Sequence, residues 1–246
     1  TKNLKNEIGY NQVICEVGCG TAQLSNYLAI NTNNQIFALD ISENSLNTGL
    51  NFSKKNEILN INYVCCDIFE KPFNKKVFDH IISLGVLHHT KNPRESFDIL
   101  CENLKNNGYI ILGLYNSIGR IRTYFRAFIY KYFNKRIAEF LDPVLRKITK
   151  NNPKKYNAWV KDQYLHPSET GHTIDEILDW FEKNNIEFIN SIPDSEIFST
   201  YDYGNIFKKK SVGSYFERIL SQFLMIFSRF GSEGGLFIMI GKKKSS

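Results

Sequence analysis

Along the first half of the chain, short apolar runs rich in β-branched residues alternate with stretches whose apolar positions recur three or four apart. The runs predict strands over 12–17, 35–40, 62–66, 78–84 and 109–114. The stretches between them predict helices near 23–31, 44–55 and 93–104, with a turn at Asn106-Asn107-Gly108 before the fifth strand. Strands separated by crossover helices form a parallel sheet covered on both faces.

The second half has a different texture. From 117 to 152 it is basic, aromatic and helical: Ile118, Ile121, Phe125, Phe128, Ile129 and Tyr132 recur at helical spacing, flanked by Arg120, Arg122, Arg126, Lys131 and Lys135. Thr173 is placed to cap a helix over 174–183, with Glu176 three residues on as in a capping box. A strand over 187–192, a very apolar helix over 214–230 and a last strand over 236–240 complete the pattern. There is no internal repeat and no separating linker. A single domain is therefore expected, with a cofactor-binding half (12–116), a helical and loop insertion (117–173), and a C-terminal part of the sheet (174–241) that carries a second helical insertion (194–234).

Composition adds little to this. Apolar residues make up 42% and charged residues 23% of the 246, as in ordinary globular domains. The net charge of +6 permits an anionic partner without demanding one. The five cysteines, Cys15, Cys19, Cys65, Cys66 and Cys101, lie mostly in apolar runs and match no zinc spacing. With no charged-then-apolar leader, they predict reduced thiols in a cytoplasmic protein without a metal.

The chemistry gathers where strands end. Gly18 and Gly20 follow the first strand and allow a tight turn into a helix start, where a Cβ would obstruct a ligand. The third glycine of a dinucleotide turn would fall at Gln23, and Glu16 would repel a pyrophosphate. A carboxylate there suits a ligand with an ammonium and a sulfonium group. Asp40 ends the second strand, where it can accept ribose hydroxyls, and Asp67 ends the third, where it can accept an adenine amino group. Each acid could alternatively be a helix cap or turn residue. Together they mark the edge at which open α/β sheets bind ligands.

The motif Glu16-Val17-Gly18-Cys19-Gly20-Thr21 resembles the first motif of class I S-adenosylmethionine-dependent methyltransferases. Phe37-Ala38-Leu39-Asp40-Ile41-Ser42 and Cys66-Asp67-Ile68 resemble the second and third. The run from Phe78 to His89 resembles the fourth-strand motif of the small-molecule branch, which includes quinone-ring methyltransferases. The turn from Leu104 to Tyr109 resembles that family's turn before the fifth strand, with Asn107-Gly108 where Pro-Gly is usual. The resemblance implies a Rossmann-like, doubly wound, seven-stranded, mainly parallel α/β sheet with an antiparallel last strand and helical insertions over the active edge. It implies S-adenosylmethionine as cofactor and S-adenosylhomocysteine as product. Gly18, Cys19 and Gly20 would line the methionine and ribose. Glu16 would face the methionine amino group, Asp40 the ribose, Asp67 and Ile68 the adenine edge, Ile41 its face, and Ser83 with Leu84 the methionine part.

Methyl transfer is an in-line displacement that needs the acceptor held on the methyl axis, with a general base if a proton must leave. The candidate bases are His88, His89, His166 and His172. The two insertions, packed together as a lid, would suit a small apolar or aromatic acceptor. Alternatively, the basic helix over 118–136 makes peripheral contact with an anionic membrane, or both helices simply pack. An RNA-directed enzyme is disfavoured: Leu84-Gly85-Val86-Leu87 lacks the Asp/Asn-Pro-Pro-aromatic motif, no Pro-Cys pair occurs, and the two triple-lysine runs are short. A cofactor-binding module without turnover would carry the same cofactor residues. Oligomeric state is open at this level.

Overall fold

The computed structural model describes residues 2–148, 152–165, 169–197, 205–227 and 235–245. Its seven strands are β1 (Val13–Val17), β2 (Gln35–Asp40), β3 (Ile61–Cys65), β4 (Phe78–Leu84), β5 (Leu104–Tyr115), β6 (Ile186–Ile192) and β7 (Leu236–Lys243). They form one sheet in the order β3-β2-β1-β4-β5-β7-β6. All paired neighbours run parallel except β7, which is antiparallel to both β5 and β6. The expected Rossmann-like α/β sheet is thus present, with its strand order reversing between β1 and β4. A ligand crevice opens at such a reversal.

Alternating side chains sort to the two faces, as the pleat requires. Ile14, Ile36, Ile82 and Ile111 bury one face, with Leu28 and Ala29 of α2 (Gln23–Ala29) and Ile8 of α1 (Lys2–Ile8). Cys15, Ile81, Ile110 and Met239 bury the other. Phe97 of α4 (Pro93–Asn103) and Phe181 of α9 (Ile174–Lys183) stack against that second face with ring centroids 5.8 Å apart. Local sequence sets the helix starts: Ser42 accepts from the Ser45 N–H to open α3 (Glu43–Lys55), and Asn92 caps α4 ahead of Pro93. The capping box of Thr173 and Glu176 is present at α9.

Two elements differ from the sequence pattern. Strand β5 begins at Leu104 rather than 109, and Asn106-Asn107-Gly108 lie inside it as a bulge, with Asn107 at φ 63° and the β4 pairing slipping between Phe78 and His80. The basic aromatic stretch breaks into α5 (Ile121–Tyr132), α6 (Lys135–Leu141) and α7 (Pro143–Ile148), followed by α8 (Pro153–Gln163). These four helices bury a small core of their own around Tyr130, Ala138, Leu145, Val160 and Tyr164. Buried Asp142, between α6 and α7, accepts from the Val144 and Leu145 N–H groups, from Trp159 Nε1 at 3.0 Å and from the Tyr164 hydroxyl. The helix expected over 214–230 is α10 (Tyr215–Leu224), opened by a capping box of Ser214 and Glu217; positions 228–230 lie outside the described residues.

Candidate functional site

The turn after β1 is stitched to β2. Gly18 and Cys19 both donate their N–H groups to the Leu39 carbonyl, at 2.8 and 3.0 Å. Gly20 donates to Asp40 Oδ2 at 2.7 Å, and Ser42 donates to Asp40 Oδ1 at 2.8 Å. Both oxygens of Asp40 are therefore aimed by backbone, yet each keeps acceptor capacity for a ligand hydroxyl. Glu16 Oε2 accepts the N–H and hydroxyl of Ser25, at 2.8 and 2.5 Å. Burial pushes the Glu16 carboxyl above its ordinary value; the Ser25 bonds oppose this and the Asp40 charge adds to it. A ligand ammonium beside Glu16 would favour its ionised form. Asp67 is exposed and accepts the Phe69 N–H at 3.1 Å, capping a short 3-10 turn over Ile68–Glu70 in which Ile68 is buried. The cap reading and the ligand reading of Asp67 are compatible, since one oxygen bonds the backbone.

The two glycines of the turn have different reasons. Both take positive φ, 69° at Gly18 and 54° at Gly20. A Cβ on Gly18 would lie 2.2 Å from Val86 Cγ2, so the neighbour that excludes a side chain there is the loop after β4 rather than a ligand. A Cβ on Gly20 would meet nothing within 4 Å, which leaves open space beside Asp40. Two large apolar side chains face that edge uncovered: Ile41 is 75% exposed and Leu84 38%. Ser83 is buried, and its hydroxyl finds no partner among the described residues. Cys19 is buried with Ala22, Ala38 and Leu46, and its thiol is pushed up to about 12 by that burial and by Glu16 and Asp40. Two carboxylates at neighbouring strand ends, bare apolar surface and an open turn fit S-adenosylmethionine.

The histidines divide by environment. His88 and His89 occupy a short turn after β4, with rings 4.2 Å apart; His88 is fully buried against Tyr115 at 4.0 Å, whereas His89 is half-exposed. His172 is buried, with Nε2 2.8 Å from Thr170 Oγ1 and Nδ1 3.0 Å from Glu176 Oε1. Both of its ring nitrogens are committed, so in this arrangement it pins the loop that reaches the His88 carbonyl through Thr170. His166 lies outside the described residues.

Just beyond β5 sits a polar cluster that the sequence pattern misplaced. Arg120, read as a surface cation flanking an apolar stripe, is fully buried. It donates to both Glu169 carboxylate oxygens, at 3.0 and 3.2 Å, and to Gln163 Oε1 at 3.2 Å, and it lies 3.6 Å over the Tyr115 ring. Buried Asn116 accepts from Ile118 and Gly119 and donates to Gln222 of α10 at 2.8 Å. Gln222 also accepts from Ile174 at the start of α9. The only sequence signal was polar residues directly after a strand end, where binding residues also occur.

A family model described as a methyltransferase domain matches residues 8–193. A Synechococcus protein described as uncharacterized is 26% identical over 198 residues, 72% of this chain and 47% of that protein. A ubiquinone biosynthesis O-methyltransferase of Rickettsia typhi is 31% identical over 116 residues, 46% of each chain. Its counterpart in Rickettsia canadensis is 27% identical over 193 residues, 72% of this chain and 75% of the other. The chain spans about half the length of the first two of these relatives. Among solved structures, PKMT2 from Rickettsia typhi matches with a TM-score of 0.64 at 14% identity, over 99% of this chain and 53% of that one. Phosphoethanolamine N-methyltransferase 2 of Haemonchus contortus, in complex with S-adenosyl-L-methionine, matches with 0.58 at 15%, over 99% and 52%. At such identities the structures speak for the fold, while the family model covers most of the chain and every acid of the cleft. The chain belongs to the methyltransferase-domain family, whose Rossmann-like members use S-adenosylmethionine as methyl donor.

Proposed function

We propose that this chain transfers a methyl group from S-adenosylmethionine to the hydroxyl of a small aromatic or apolar acceptor. The observation that carries the donor part is the Asp40 carboxylate, held by the Gly20 and Ser42 N–H groups beside open space. The hydroxyl is suggested by the Rickettsia relatives, which are named as O-methyltransferases of ubiquinone biosynthesis.

Bound S-adenosylmethionine supplies a methyl carbon already activated by its sulfonium, so positioning carries much of the rate. In this reading Glu16 accepts from the ammonium, Asp40 from the ribose hydroxyls and Asp67 from the adenine amino group. Ile41 and Leu84 cover apolar faces and exclude water. His89, the half-exposed histidine after β4, takes the proton that leaves the acceptor hydroxyl. His88, Tyr115 and the Thr170–His172–Glu176 chain hold the wall behind it.

The test is an acceptor screen that reads S-adenosylhomocysteine by mass spectrometry, with catechols bearing apolar tails, primary amines and RNA in parallel. Product with the catechols alone is expected, and His89→Gln should lower kcat by about a hundredfold or more. Binding of S-adenosylmethionine without turnover on any acceptor would leave a non-catalytic cofactor module. Transfer to RNA or amines alone would overturn the acceptor class.

A further inference from the structure

Two helices outside the cofactor site are apolar on the wrong side. On α5, Ile121, Phe125, Phe128 and Tyr132 follow one another at intervals of four, three and four, and so share one face. That face is open: Phe125 is 60% exposed and Phe128 51%. The helix packs into the protein through the opposite face, where Thr123 and Tyr130 are buried. Helix α10 repeats the design. Phe216, Ile219 and Phe223 share an exposed face that continues to Phe227, 67% exposed, while Ser221 and Gln222 are buried. The two helices meet end to end, where Arg122 donates to the Ile226 carbonyl at 3.2 Å.

Charge is segregated around these stripes. By helical phase, Arg122 and Lys131 lie on either side of the α5 stripe. Lys135 and Arg136 extend the same sign into the next helix, beside exposed Phe133 and Phe140. None of these four cations forms an ion pair with a carboxylate among the described residues. The two acids between Ser117 and Ile148 are turned inward: Asp142 is buried under Trp159 and Tyr164, and Glu139 accepts from the Tyr156 hydroxyl at 2.5 Å. On α10, Glu217 closes the capping box and Arg218 pairs with Asp175 at 2.6 Å. The outward surface is therefore aromatic with a cationic margin along α5 and α6, and α10 adds aromatic area with Glu217 beside it.

We propose that the exposed faces of α5 and α10 dock together on an anionic lipid surface. Aromatic side chains enter the headgroup boundary while lysine and arginine stems reach the lipid phosphates, as in interfacial amphipathic helices. A second copy of this chain fits less well, because self-association of this face would bring together its own cations, two of which lie over aromatic rings and none of which has a carboxylate partner among the described residues. No helix among the described residues is long and apolar enough to cross a membrane, so the contact lies on the surface. The proposal is independent of the acceptor proposed above, since vesicle binding is read without turnover.

The test is cosedimentation of the full chain with vesicles of phosphatidylcholine alone and of phosphatidylcholine mixed with phosphatidylglycerol, at low salt. Binding to the mixed vesicles, and much weaker binding to the neutral ones, is expected. Phe125→Glu with Phe223→Glu should lower the partition at least tenfold. Lys131→Gln and Lys135→Gln should each lower it about fivefold, the worth of one cation near such a surface. Unchanged circular dichroism and S-adenosylmethionine affinity in each variant show that the fold is kept. The proposal is overturned by a wild-type chain that stays in the supernatant with mixed vesicles, or by aromatic variants that still pellet with them. It is equally overturned by a solution dimer that the same aromatic substitutions dissociate.

Discussion

Replacing Asp40 with asparagine separates the two tasks assigned to that carboxylate. In the native turn its oxygens accept N–H groups from Gly20 and Ser42, at 2.7 and 2.8 Å. An amide of the same shape offers one acceptor and one donor, so in either orientation one backbone N–H faces another donor. A hydrogen bond to a charged group contributes about 1.5–3 kcal/mol. Asp40 is half-exposed and water can replace part of the loss, so Asp40→Asn should lower the stability of the unliganded chain by about 1–2 kcal/mol. The same change removes the charge that would accept the ribose hydroxyls. One lost charged acceptor corresponds to a fall in S-adenosylmethionine affinity of about tenfold to a hundredfold. Urea unfolding reads the first effect and calorimetric titration the second. Asp67→Asn is the control for the fold: its carboxylate is exposed and accepts one N–H at 3.1 Å, so the unfolding midpoint should hardly move. If Asp40→Asn binds S-adenosylmethionine within about twofold of wild type although its unfolding midpoint has dropped, Asp40 only fixes the turn and the ligand reading is refuted.

Glu16→Gln should act in opposite directions on binding and on the free fold. The carboxyl value is raised by burial, so protonation favours the folded state; the stability this gives is present below the unfolded value and is lost as pH rises through the folded one. Near neutral pH the glutamine variant should therefore melt higher without ligand while binding S-adenosylmethionine more weakly. In the wild type, affinity should fall as pH drops through the raised value, and a pH-independent titration would remove Glu16 from the ammonium site. Gly18→Ala places a methyl group 2.2 Å from Val86 at φ 69°, and should cost about 2–5 kcal/mol between overpacking and left-handed strain; Val86→Ala should restore the packing part only. An additive double variant in thermal melts would contradict this contact. Arg120→Met removes the buried cation that pairs with the nearly buried Glu169 carboxylate and should destabilise by about 3–5 kcal/mol, with Glu169→Gln recovering part; a loss under about 1 kcal/mol in urea unfolding would show the pair to be hydrated. Thr173→Ala should cost about 1 kcal/mol through the α9 capping box, and an unchanged melting point would deny the cap its role.

The class of the sheet and the placement of its acids were legible in the chain because both are local. β-branched runs ending in Glu16, Asp40 and Asp67 mark strands with carboxylates at one edge, and the parallel order follows from crossover connections of this length. The helix cap at Thr173 was equally readable, since a cap is satisfied by an N–H only two or three residues away. The Asn106-Asn107-Gly108 segment shows the limit. Its residues specify a left-handed kink, but whether that kink ends a strand or bulges inside one depends on pairing with β4.

Contacts between distant segments were decided by the tertiary structure alone. Gly18 reads as a ligand glycine until Val86 is seen lying against it, 68 positions away in the chain. Arg120 reads as a solvated cation until Glu169 and Gln163 close over it. His172 looks like a free base until Thr170 and Glu176 take both ring nitrogens. The aromatic stripe of α5 fits a lid, a membrane contact or a packed face in sequence, yet the helix turns Thr123 and Tyr130 inward and leaves that stripe to solvent. Periodicity reveals that a helix has an apolar face, but not which of two such faces the rest of the chain covers. That choice depends on burial summed over the whole fold, which no local window of sequence contains.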